Sequence, residues 1–65
     1  MWVEFMTVKN AYLAETWREL FAAEGLSVRV IPPIGRGEDA SLSDERTLYV
    51  PTGKAHVARE ILRKI

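Results

Sequence analysis

Apolar and polar positions alternate from Trp2 to Val8, with Val3 and Phe5 on one side and Trp2, Glu4 and Met6 on the other. The charge of Glu4 marks the second side as the less buried one, and the pattern predicts a first strand. The period then changes. Asn10 is a residue type that caps helix starts, and after it Leu13, Ala14, Trp17, Leu20 and Phe21 fall on one stripe of a 3.6-residue repeat. Glu15, Arg18 and Glu19 take the opposite side, and Gly25 supplies a stop, so this helix is expected to end near Glu24.

From Leu26 to Ile31 alternation returns, with Leu26, Val28 and Val30 set against Ser27, Arg29 and Ile31 until Pro32 and Pro33 remove two backbone donors. This is the second predicted strand. Residues 33–45 have no sustained period and are rich in small and acidic residues, which predicts a mobile loop, long for a hairpin connection. A third strand is expected over Arg46 to Val50, with Leu48 and Val50 inward and Thr47 and Tyr49 outward, closed by Pro51. Thr52 is placed to cap a last helix whose buried stripe is Ala58, Ile61, Leu62 and Ile65, leaving His56, Arg59, Glu60, Arg63 and Lys64 to solvent.

The order is β-α-β-β-α. A right-handed crossover between the first two strands and a hairpin return place the third strand between them, giving an antiparallel sheet of order 1-3-2. Both helices then bury their stripes on one face of that sheet. The opposite face keeps Trp2, Met6, Arg29, Ile31 and Tyr49, and the outer edge of strand one has no partner. An indole, a thioether, an isoleucine and a phenol on one open face are expected to form a contact patch.

Composition narrows the chemistry. The chain has 65 residues, 48% of them hydrophobic and 28% charged, which is one globular domain, 1–65. A domain this small buries only about 60% of the surface its unfolded chain exposes, so good packing or self-association has to supply stability. No cysteine is present, which removes disulfides and thiolate metal sites, and His56 alone cannot assemble a metal site. No cofactor is expected. Nine Lys and Arg balance nine Asp and Glu, which removes the positive field that nucleic-acid binding requires. The balance is uneven along the chain: residues 1–45 carry net charge −4 and residues 46–65, through Arg46, Lys54, Arg59, Arg63 and Lys64, carry +4. Met1 to Met6 has no basic lead and includes Glu4, and no stretch approaches a membrane span, so a soluble, cytoplasmic protein is expected.

The motifs that invite a chemical reading are incomplete. Thr52-Gly53-Lys54 follows a strand and opens a helix, but Leu48 stands where a phosphate loop needs its first glycine and Ala55 where it needs Ser or Thr. Gly35-Arg36-Gly37 lacks the third glycine of a dinucleotide fingerprint and follows two prolines. His56 has no orienting partner in the sequence, and no nucleophile, base and orienting group can be named together, so the chain does not read as an enzyme. Trp2 and Tyr49 could stack bases on an open sheet, but the neutral charge and the missing aromatic motif argue against RNA.

Ala14-Glu15, Leu20-Phe21-Ala22-Ala23-Glu24-Gly25-Leu26, Leu48-Tyr49-Val50-Pro51 and Ala58-Arg59-Glu60-Ile61-Leu62 together resemble a family of short bacterial domains described as prokaryotic signal-transducing proteins. The resemblance implies an α+β, ferredoxin-like sandwich similar to the nitrogen-regulatory PII proteins, here without the fourth strand. It implies a signalling role and no established activity. Two functions are open at this point. One is a non-enzymatic regulatory or protein-interaction domain acting as a homodimer, or binding another protein, through Trp2, Met6, Ile31 and Tyr49 or the strand-one edge. The other is a sensor in which the 33–45 loop closes over an anionic metabolite held by Arg29, Arg36 and Arg46.

Overall fold

The computed structural model describes residues 1–33 and 40–64. Strand β1 (Trp2–Val8) leads into helix α1 (Ala11–Ala23), followed by β2 (Arg29–Ile31), β3 (Arg46–Pro51), a single 3-10 turn (Thr52–Lys54) and helix α2 (Ala55–Lys64). The sheet order is β1-β3-β2, with β3 antiparallel to both neighbours. The arrangement is the α+β, ferredoxin-like one that the hydrophobic pattern predicts, with three strands among the described residues.

Local chemistry accounts for the boundaries of α1. Asn10 sits in extended conformation (φ −156°, ψ 173°), and its side-chain oxygen accepts from the Leu13 amide at 2.9 Å. At the other end Gly25, at φ 86°, lets the chain turn back so that the Gly25 amide donates to Ala22 and the Leu26 amide to Phe21. That paired closure is a Schellman motif, and its accompanying apolar contact is Leu26 on Phe21, both buried in the core. Because the Leu26 amide is spent on the helix end, ladder pairing starts only at Arg29, and β2 is three residues long where the alternation predicted six.

The core lies between the two helices and one face of the sheet. Phe21 of α1, Ala58 and Ile61 of α2, Val50 of β3 and Leu26 form one buried cluster, and Val8, Ala14 and Leu48 form a second. Phe21 meets Phe5 edge to face, with ring centroids 6.0 Å apart and an interplanar angle of 85°. Both helices therefore cover the same face, as expected.

Two expectations about facing are corrected. On β1, Val3 pairs with Val50 and Glu4 with Tyr49, but the next pair is Met6 with Leu48, so Phe5 is an extra residue opposite no partner. This bulge reverses the alternation, and Phe5 and Met6 both pack against the core. Met6 is thus not on the open face. On α1 the line that packs on the core is Ala14, Trp17 and Phe21, with Trp17 only partly buried, whereas Leu13 and Leu20 remain 41% and 39% exposed. Leu13 and Leu20 lie at the far side of the stripe, roughly 80–120° round the helix from Ala14 and Phe21, beyond the reach of the sheet.

The segment before β3 is built, where a mobile loop was expected. The Ser41 amide donates to Asp44 Oδ2 (2.9 Å), the Asp44 amide to the Ser41 carbonyl (3.0 Å), and the Leu42 carbonyl accepts from the first amide of α1, Ala11, at 2.9 Å. Arg46 locks this turn. Its guanidinium, 8% exposed as a residue, donates to the carbonyls of Asp44 (2.8 Å), Glu45 (3.1 Å) and Ser41 (2.9 Å). Thr52 also differs from its expected capping role: its amide and hydroxyl both donate to the Met1 carbonyl, at 2.8 and 3.1 Å, and so tie the start of β1 to the end of β3.

Candidate interaction face

The side of the sheet that carries no helix is set by register. Residues directly opposite one another on antiparallel strands point the same way, so the pairs Glu4–Tyr49–Arg29 and Thr7–Thr47–Ile31 form two rows across β1, β3 and β2 on this face. Trp2, opposite Pro51, adds a third position at the β1 end. Leu48 and Val50, the intervening residues of β3, are wholly buried on the other side.

Of the residues predicted for a binding surface, Trp2, Arg29, Ile31 and Tyr49 come together here, with Trp2 and Ile31 37% and 38% exposed. The guanidinium carbon of Arg29 lies 4.8 Å from the centroid of the Trp2 ring. That contact bridges β3 from one outer strand to the other, and such a pair at an exposed site contributes about 0.5–1 kcal/mol. Thr7 and Thr47 hydroxyls stand 3.4 Å apart in the second row. The loss of Met6 to the core leaves a face that is aromatic and charged where a more apolar one was expected. Glu4, exposed and in the same row as Tyr49, belongs to it; alternation puts Glu4 on the less buried side, and the register sets it beside Tyr49.

The arginine set proposed for an anion is dispersed. Arg29 points from the open face, Arg46 is buried on the helix-covered side with its donors committed to carbonyl oxygens, and Arg36 lies outside the described residues. A shallow open depression of about 350 Å³ is lined by Arg18, Ala22, Gly25, Leu26, Ser27 and Val28, but its one charged group is engaged with Glu15. Among the described residues no group of His, Asp and Glu could hold a metal ion, and no helix is long and apolar enough to cross a membrane. His56 is exposed on α2. Comparison of the chain with protein-family models, with curated proteins and with solved structures gives no significant match.

Proposed function

We propose that this domain is a cytoplasmic, non-enzymatic regulatory or protein-interaction module that works as a homodimer. The single observation that carries the reading is the uncovered sheet face on which Trp2, Arg29, Tyr49 and Ile31 converge. Trp, Tyr and Arg are the side chains that most often dominate binding energy at protein interfaces, because they combine large contact area with a polar handle. Marginal size adds a thermodynamic motive: covering one face with a second copy removes surface that so small a core cannot bury alone. The outer edge of β1 is an additional route to self-association, since among the described residues β1 is paired only with β3. The regulatory part rests on the resemblance to signal-transducing domains.

Sedimentation velocity across the micromolar to millimolar range tests the homodimer. The weight-average mass is expected to rise with concentration from 7.4 kDa towards twice that value. A sample that is folded yet keeps the monomer mass throughout rejects the reading.

A further inference from the structure

Glu4 and Arg29 stand in the same row on either side of Tyr49, and no ion pair joins them. Adjacent strands are about 4.8 Å apart, so the two charges are anchored about 10 Å from each other, symmetrically about the central strand. A face that is negative on one flank and positive on the other, with an aromatic between them, is complementary to itself in one orientation only. Turning a second copy over about the long axis of β3 sets its Glu4 above Arg29 and its Arg29 above Glu4, with the two Tyr49 rings at the centre. Turning it over about the axis across the strands sets Glu4 above Glu4.

Resting on the homodimer reading above, the geometry points to a face-to-face dimer whose two-fold axis runs along β3, held by reciprocal Glu4–Arg29 pairs around Tyr49 and flanked by Trp2. The strands of the two sheets are then aligned, as sheets packed face to face usually are, within about 30° and about 10 Å apart. A second copy suits this face better than a nucleic acid because Glu4 sits within it and repels phosphate. The area is small: strands of seven, six and three residues give a footprint of roughly 250 Å² per copy, below the ~800 Å² of a standard interface, so the dimer is a weak, reversible one.

Charge reversal at the two positions tests this. Both residues are exposed, and circular dichroism melts establish that each variant remains folded. Glu4→Arg alone sets arginine against arginine twice per dimer, and Arg29→Glu alone sets glutamate against glutamate, so each is expected to weaken self-association at least about tenfold. An equimolar mixture of the two variants restores complementary charges at both contacts and is expected to regain wild-type association in sedimentation velocity. If both variants self-associate as the wild type does, the reciprocal Glu4–Arg29 pairing is wrong, either because the axis runs across the strands or because this face is not used, and the homodimer reading survives through another contact such as the β1 edge. If both dissociate and their mixture does not reassociate, charge complementarity across this face does not hold the dimer and the reciprocal pairing is overturned. If the wild type itself never exceeds monomer mass, both the geometry and the homodimer reading fall.

Discussion

Successive residues of β3 face two different environments. Arg46, Leu48 and Val50 point to the helices and are buried, the last two with no exposed surface, while Thr47, Tyr49 and Pro51 alternate with them on the bare side and stay partly exposed. The covered face is closed by aliphatic and aromatic side chains from every element: Val3, Phe5 and Met6 from β1, Ala14 and Phe21 from α1, and Ala58 and Ile61 from α2. The bare face is crossed by the Trp2–Arg29 contact and carries a carboxylate, two threonines and a phenol. Packing demand explains the first set completely, because each of those side chains fills space between layers. It explains the second set poorly, since Trp2, Tyr49 and Arg29 stabilise the monomer little where they are. On the reading proposed above, the difference separates residues that hold the fold from residues that meet a partner.

If that division is right, the largest loss of stability comes from the covered side. Phe21→Ala removes the ring at the centre of the core, and such truncations cost about 3–5 kcal/mol. For a domain of this length total stability is about 3–10 kcal/mol, so urea denaturation should find the variant largely unfolded or close to it. A near-normal midpoint would mean that the core is not organised around Phe21. Next comes Arg46→Ala, which removes three part-buried hydrogen bonds from a charged donor to turn carbonyls and should cost about 1.5–3 kcal/mol. Thermal unfolding measures the loss, and faster amide exchange at Asp44 and Ala11 would place it in the turn. Asn10→Ala is smaller, about 1 kcal/mol, because it removes one cap bond from the helix that covers the sheet.

On the bare side Trp2→Ala should cost under about 1 kcal/mol, the worth of an exposed cation–π contact, while weakening self-association measurably in the same sedimentation experiment. A large melting-point drop without an effect on association would reverse the division. The weakest effect lies on the outer surface of α1. There the Arg18 guanidinium hydrogen-bonds Glu15 and holds its carboxyl below the ordinary value of 4.5. A lowered folded-state pKa contributes stability that is complete above the unfolded value and is lost as the pH falls through the folded one. The melting difference between wild type and Glu15→Gln is therefore expected to be small and constant near neutrality and to shrink progressively once the pH falls below the ordinary value of 4.5. A difference that persists in acid would show that the pair is not its source.

Much of this was legible in the letters, for reasons that are local. Asn10 and Gly25 mark the two ends of α1 by their own backbone chemistry, and the observed helix, Ala11–Ala23, lies between them. Alternation placed Arg29, Ile31 and Tyr49 outward and Val30, Leu48 and Val50 inward, and the register agrees at each position. The misplacements share one cause. Met6 reads as outward by strict alternation, and only the unmatched step between Tyr49 and Leu48 against Glu4 and Met6 turns it inward. Arg46 reads as one of three arginines that could hold an anion, since three carbonyls at one turn cannot be seen in a pattern of residue types. Leu13 and Leu20 share an apolar stripe with Ala14 and Phe21, but how much of a stripe is covered depends on how wide the facing layer is. The 33–45 loop was treated as one mobile unit, whereas its last part is pinned by Arg46 and by the Ala11–Leu42 bond; residues 34–39, with Arg36, lie outside the described residues.

The order of strands and helices, the ends of α1 and the inward identity of Leu48, Val50, Phe21, Ala58 and Ile61 were determined by the sequence itself, because hydrophobic period, capping and turn chemistry act between near neighbours. The bulge at Phe5, the burial of Arg46 and the row that sets Glu4, Tyr49 and Arg29 side by side were decided only by tertiary structure. Each depends on how two segments distant in the chain align against one another, and strand register is a property of the pair that neither segment carries alone.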